Sequence, residues 1–313
     1  MNEFELIARL THSLPTNAST VVGAGDDCAV IDFGLPDRWV LFKTDAVVEG
    51  IHFPKNAPAE KIGHKALARS LSDIAAMAGT PTHALITLAL PPDFDPGRIE
   101  AIYQGLKTLA VRHDVAIVGG ETTTSPERML ISVSVLGTVA RGAAPLRSGA
   151  RAGDAIFVTG ELGGSLAGKH LEFEPRLVEA RWLASHYDIH SMMDLSDGLA
   201  GDLPRILQAS HVGAELLSDA IPISHAARSA ARAGSSARLP LLAALSDGED
   251  FELLLTVAAG DAVPLLDAWK KQFPELRLSC IGKVSAEPGL SIRDKKGVQP
   301  LAVHGYVHFQ KSC

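Results

Sequence analysis

WVLFKTDAVVEGIHF (39–53), AEKIGHKALARSLSDIAAMAG (59–79) and ALITLAL (84–90) are the stretches on which the fold is decided. WVLFKTD (39–45) predicts a short strand. In the second stretch the apolar residues Ile62, Ala66, Leu67, Leu71, Ile74 and Ala75 recur at helical spacing, and Gly79 closes the helix. ALITLAL returns as a strand. Outward from there the alternation continues, with a helix over about 97–113 and strands at VAIVGG (115–120) and MLISVSVLGT (129–138). Residues 139–153 turn mainly to Arg, Gly, Ala and Pro without periodicity, which places a boundary between a half of residues 1–140 and a half of residues 141–313. The second half begins with AIFVTG (155–160), has helices near 176–186, 197–209, 224–233 and 261–273, and strands at ELLLTV (252–257) and LSCIGKV (278–284). The expected class is therefore α/β or α+β, in two domains, as 313 residues allow.

Composition narrows the function. Hydrophobic residues are 46 % and charged residues 21 %, the balance of a folded globular chain. The net charge is −7, and no basic run is longer than Lys295-Lys296, so nucleic acid is not an expected partner. Cys28, Cys280 and Cys313 are odd in number and lack CxxC spacing, which argues against disulfides or a thiolate zinc site. The opening MNEFE is acidic and no apolar stretch approaches a membrane span, so a cytoplasmic chain without a membrane partner is expected.

The carboxylates are the informative residues. Asp26-Asp27, Asp45, Asp73, Glu121, Asp194, Asp197 and Glu249-Asp250 each stand at a predicted strand end or helix start, and all but Asp194, which is two residues from Ser196, adjoin Gly, Ser or Thr. In such folds those positions face ligand sites, and many carboxylates with few thiolates suit a hard cation such as Mg²⁺ carried with a nucleotide. Each has a bland alternative: Asp26 or Asp27 as a turn residue, Asp73 in an i,i+4 pair with Arg69, Asp194 and Asp197 as helix caps. Their number favours the site. GGSLAGKH (163–170) spells a phosphate loop except for His170 in place of the Ser or Thr that holds magnesium, so a glycine turn entering a helix is the better reading. His52, seven residues after Asp45, is the histidine worth keeping, and no G-x-S-x-G elbow supports a covalent hydrolase.

In order along the chain, GAGDDCAV (23–30), KTDAVVEGIHF (43–53), SLSDIAAMAG (70–79), VGGETT (118–123), PLRSGARAGD (145–154), MMDLSDGLAGDL (192–203), SDGEDFELL (246–254) and GYVHF (305–309) resemble the motif series of the thiamine-monophosphate kinases. These share a superfamily with aminoimidazole ribonucleotide synthetase. The resemblance implies a two-domain fold in which the N-terminal α/β domain binds ATP and metal and pairs its sheet with a twin across a homodimer to close a β-barrel, beside a C-terminal α/β domain. It also implies ATP- and Mg²⁺-dependent, direct in-line phosphorylation of thiamine monophosphate to thiamine diphosphate. Carried over by motif, Asp27, Thr44, Asp45, Asp73, Glu121, Asp194 and Asp197 would hold metal. Gly120, Glu121, Arg147 and Ser196 would face ATP. His52, Glu249 and Tyr306 would face thiamine monophosphate, and Asp45, Asp73, Arg147 and Asp197 would carry the chemistry.

Three departures stand out: Lys43 where the family has Ser, Glu121 where it has Asp, and HLEFEPR (170–176) within a short segment. The alternatives are another ATP-using enzyme of the superfamily or an inactive nucleotide-binding member. Cys313 is read as incidental.

Overall fold

Alternate residues of the central strands are apolar, so each strand buries one face and must find a helix to cover it. The computed structural model describes residues 3–234, 239–301 and 305–306. The first part runs α1 (Glu3–Thr11), β1 (Thr20–Val22), β2 (Ala29–Ile31), β3 (Arg38–Val48), α2 (Ala59–Ala76), β4 (Thr80–Leu90), α3 (Pro96–Arg112), β5 (Ala116–Thr124) and β6 (Leu130–Ala140). The second runs β7 (Ala155–Thr159), α4 (Leu177–His186), β8 (Ile189–Asp194), α5 (Leu199–Ser210), β9 (Gly213–Leu217), α6 (His225–Arg232), α7 (Pro240–Ser246), β10 (Leu253–Val257), α8 (Ala262–Gln272), β11 (Leu278–Ser285), β12 (Gly289–Asp294) and β13 (Gly297–Pro300).

Two sheets result, ordered β1-β2-β3-β6-β4-β5 and β13-β12-β9-β11-β7-β10-β8. Among the described residues only β4 with β5 and β9 with β12 are strands paired in parallel, so the class is mixed α/β with largely antiparallel ladders. On the first sheet Leu41, Val47, Ile86, Val133 and Val135 are buried, while the opposite face leaves Phe42, Leu85, Val118 and Leu136 exposed. In the second sheet β7 and β10 are buried along their whole length.

The helix α2 lies against β3, β6, α3, α4 and β8, with no broad solvent face. A helix so enclosed is expected to be apolar all round. Lys65, Ser70, Ser72 and Asp73 are buried in it nonetheless, which marks them for polar work. Its crossing with α3 is close because Gly63 and Gly105 lack side chains; a Cβ at Gly63 would stand 1.9 Å from the Ile102 carbonyl oxygen.

Candidate active site

Three elements deliver three carboxylates to one point. Asp27 follows the Gly25-Asp26 turn, Asp73 lies in the last turn of α2, and Asp194 ends β8. One oxygen from each lies within 4.8 Å of the others, and all three residues are buried. Arg147 donates to Asp27 Oδ1 (2.5 Å), Lys43 Nζ to Asp73 Oδ1 (2.9 Å) and Ser72 Oγ to Asp194 Oδ2 (2.5 Å). Asp27 Oδ2 is buried without a hydrogen-bond partner among the described residues. Burial, reinforced by Asp27, pushes Asp194 up to about 6, and burial lifts Asp73 well above the carboxylate range against the pull of Lys43. A crowded, under-neutralised set of hard oxygens with one orphaned acceptor fits a divalent cation such as Mg²⁺. Asp26 is the turn residue of the pair: its carboxylate accepts from the amides of Asp27 and Arg147.

Asp45 sits two residues along β3 from Lys43 and receives Arg69 Nε at 2.9 Å, which with Lys43 holds it low despite its burial. The i,i+4 pair of Arg69 with Asp73 does not form, because both side chains reach off the helix, to Asp45 and to Lys43. Thr44 points to the other face of the sheet, where its hydroxyl accepts from Ser134 Oγ at 3.1 Å, so its side chain is not brought to the cluster. Gly120 and Glu121 lie exposed on the edge strand β5, in register with Ile86 and Thr87. Three interstrand spacings, about 14 Å, separate them from β3.

A pocket beside the cluster gathers five residues singled out from the sequence, His52, Ser196, Asp197, Glu249 and Tyr306, together with Arg69. Its far wall is the loop after α7, where Gly248, Glu249 and Phe251 all take left-handed backbone (φ 72°, 55° and 50°). Such strain persists only where the surroundings hold it. Here the amides of Glu249 and Phe251 donate to the carbonyls of Ser196 and Leu195 (2.7 and 2.8 Å). The Glu249 carboxylate receives Lys65 Nζ and lies 2.9 Å from His170 Nδ1 and 3.5 Å from Arg69. Against burial, His170 and Lys65 bring its pKa down to about 2, so it is an anion at neutral pH. Burial lowers Lys65 to about 8, and burial with Arg69 lowers His52 to about 4. His52 is therefore neutral, its Nδ1 accepting from the Val48 amide at 3.0 Å.

Lys65 was not singled out by sequence, and Arg69 and His170 were met only as a helix ion-pair partner and as the residue that breaks the phosphate-loop pattern, not as site residues. The spacing of Lys65, Arg69 and Asp73 at every fourth position, on one face of the helix, was the available signal.

The glycine loop is a turn, but it enters two single 3₁₀ turns, Ser165–Ala167 and Lys169–Leu171, rather than an α-helix. Its amides are already occupied: Gly163 N donates to Asp250 (2.9 Å) and Gly164 N to Asp247 (2.9 Å). HLEFEPR backs the pocket, with His170 on Glu249, the Phe173 ring stacked at 4.0 Å on Phe251, and Arg176 paired with the buried Glu252. Asp194 and Asp197 do not cap α5, whose N-cap is Gly198; Asp197 instead receives Arg205, and its amide donates to Asp202 Oδ2 at 2.9 Å. Tyr306 is tied in through its amide to Asp197 O (2.9 Å), while residues 307–309 of the GYVHF stretch and Cys313 lie outside the described residues.

Comparison with known proteins agrees with this geometry. Residues 25–139 match the family model of the AIR synthase related protein N-terminal domain, and residues 151–295 that of its C-terminal domain. A thiamine-monophosphate kinase of Rhodopirellula baltica is 42% identical over 287 residues, covering 90% of this chain and 87% of its own. The chain belongs to the thiamine-monophosphate kinase family. The Bacillus subtilis kinase is 35% identical over 289 residues, covering 82% of this chain and 84% of its own. The solved structure of AaThiL complexed with AMPPCP and TMP superposes with a TM-score of 0.81 at 30% identity, covering 98% of this chain and 97% of that one. Membership makes the chain an enzyme, a phosphotransferase with a phosphate group as acceptor, and its two-sheet mixed α/β architecture is that of the family. Among the described residues no helix is long and apolar enough to cross a membrane.

Proposed function

We propose that this chain transfers the γ-phosphoryl group of ATP directly to a phosphate oxygen of thiamine monophosphate, giving thiamine diphosphate and ADP. The observation that carries the reading is the adjacency of an anionic pocket and a buried carboxylate cluster, joined by α2. Thiamine monophosphate has a permanently cationic ring at one end and a phosphate at the other. Glu249, ionised and fixed by Lys65 and His170, complements the ring cation; Phe251 and Tyr306 add aromatic surface; Arg69 supplies positive charge for a phosphate.

The attacking phosphate oxygen is already an anion, so no strong base is needed, and a neutral His52 orients rather than deprotonates. Asp27, Asp45, Asp73, Asp194 and Asp197 are the residues we assign to Mg²⁺, which when bound neutralises the phosphates that meet there. Arg147, anchored on Asp27, and Ser196, on the pocket rim, are assigned to ATP. Arg147 stabilises charge that builds up as the phosphoryl group moves. Gly120, Glu121 and the Thr44 hydroxyl stand apart from the cluster within one chain, and we assign them to the ATP side of a homodimer. The exposed strip of Phe42, Leu85, Val118 and Leu136 on the same sheet supports such an assembly, with residues 1–140 as the ATP-binding and dimerising half and residues 141–313 as the other. The two described cysteines are free, as suits the cytoplasm.

The test incubates the protein with ATP, Mg²⁺ and thiamine monophosphate and separates the thiamine phosphates. Metal-dependent thiamine diphosphate is expected, and its loss in Asp45→Asn with the fold intact. An Asp45→Asn variant of undiminished activity would overturn the assignment, and ATP binding without product would favour the inactive-member alternative.

A further inference from the structure

Lys43 is one of the three departures from the motif series, and the structure gives it a specific place. Its side chain leaves the helix-facing side of β3 and its ammonium stands 2.9 Å from Asp73 Oδ1. Among the described residues it is the one side chain hydrogen-bonded to Asp73. Asp27 differs: Arg147 engages its Oδ1, and its Oδ2, on a residue 1% exposed, has no partner. The cluster thus has three carboxylates and two fixed protein cations, with Asp27 Oδ2 buried and open among the described residues.

An ammonium is a compact, hard, strongly hydrated charge with three donors, which makes it the closest side-chain substitute for a hard cation among carboxylate and phosphate oxygens. A serine at the same place supplies a neutral oxygen and leaves Asp73 uncompensated, so that further divalent charge is required there.

We propose that Lys43 is a built-in replacement for one divalent ion, so that this chain binds one ion fewer at the Asp27, Asp73 and Asp194 cluster than it would with serine at position 43. The ammonium occupies Asp73 Oδ1, and the other carboxylate oxygens of the cluster, the open Asp27 Oδ2 among them, are left for metal. This rests on the kinase reading for its purpose but makes a separate claim about stoichiometry.

The experiment counts Mn²⁺ bound per chain, by the electron paramagnetic resonance signal of free Mn²⁺, in the presence of a non-hydrolysable ATP analogue. Wild type, Lys43→Ser and Lys43→Gln are compared after circular dichroism confirms folding. The expected result is one additional Mn²⁺ per chain in Lys43→Ser. Equal or lower counts in both variants overturn the proposal. If neither variant folds, reductive methylation of the wild type with mass-spectrometric readout decides. Lys43 should stay protected when Mn²⁺ and the analogue are added, and its exposure by metal would show that the ion displaces it and overturn the proposal. Failure of the wild type to make thiamine diphosphate, with the ion counts as expected, would refute the kinase reading and leave the cation assignment standing.

Discussion

Glu252 is 1% exposed and carries the far end of the strained pocket loop. Three groups hold its carboxylate through four hydrogen bonds: Arg176 through Nε and Nη2 (2.8 Å each), Lys169 Nζ (2.8 Å) and Thr159 Oγ1 (2.8 Å). Against burial, Arg176 and Lys169 take its pKa from the ordinary 4.5 down to about 2. At about 1.4 kcal/mol per pH unit that depression is worth about 3 kcal/mol of stability at neutral pH. Because the folded pKa lies below the unfolded one, the contribution is complete above about 4.5 and is lost as pH falls toward 2. Glu252→Gln removes the charge while keeping the shape, and leaves Arg176 and Lys169 facing a neutral amide. Its cost should be roughly 3 kcal/mol at pH 7, falling by about 2 kcal/mol at pH 3. Urea unfolding followed by tryptophan fluorescence, on wild type and variant at both pH values, measures the difference directly. Other titrating groups are common to both proteins and cancel. A destabilisation of the same size at pH 7 and pH 3, or none at pH 7, would refute the ion-pair argument.

Three further outcomes follow from the same geometry. Gly63→Ala should destabilise by about 2 kcal/mol in urea titration, since overpacking against the Ile102 carbonyl (about 3 kcal/mol) outweighs the helical gain of about 1 kcal/mol; a neutral result would mean that α2 and α3 separate freely. Glu249→Gln should raise KM for thiamine monophosphate by about 10-fold or more, equivalent to about 1.4 kcal/mol, with a smaller change in kcat; unchanged KM would remove Glu249 from the pocket's recognition role. Chelation with EDTA should abolish phosphate transfer and added Mg²⁺ should restore it, as measured by thiamine diphosphate formed; turnover persisting in EDTA would contradict a metal role for the carboxylate cluster.

Long periodic helices were legible in the sequence, because α2 and α3 each repeat their apolar pattern over ten residues or more, whereas only residues 39–45 of the eleven-residue β3 were read as strand. Of the short ones, AIFVTG (155–160) and ELLLTV (252–257) were legible as continuous apolar runs, and others were not. IHSMMD (189–194) has no alternation because β8 pairs with β10 beneath covering helices, so the strand that presents Asp194 escaped the reading. AVI (29–31), beside Asp27, is too short to carry a period. The site was recognised through its carboxylates, whose number and small neighbours are visible in one dimension. Their counter-ions were not: Lys43 meets Asp73 across 30 positions of sequence, Lys65 meets Glu249 across 184 and Arg147 meets Asp27 across 120. Such pairings exist only once β3, α2 and the second sheet are packed together. The alternative of Arg69 paired with Asp73 shows the limit well, since local spacing permitted it and longer-range partners prevailed.

The helix α2 carries Lys65 at the acceptor pocket and Asp73 at the carboxylate cluster, eight residues apart on one rigid rod. At 1.5 Å per residue that is about 12 Å, a ruler whose graduations are backbone hydrogen bonds. The register between the two ends is thus written into a single uninterrupted helix, and no hinge or loop has to be arranged each time the enzyme turns over. One residue inserted between Arg69 and Ser72 would rotate Asp73 by about 100° and advance it by about 1.5 Å, so this short span should tolerate side-chain exchange far better than any change of length.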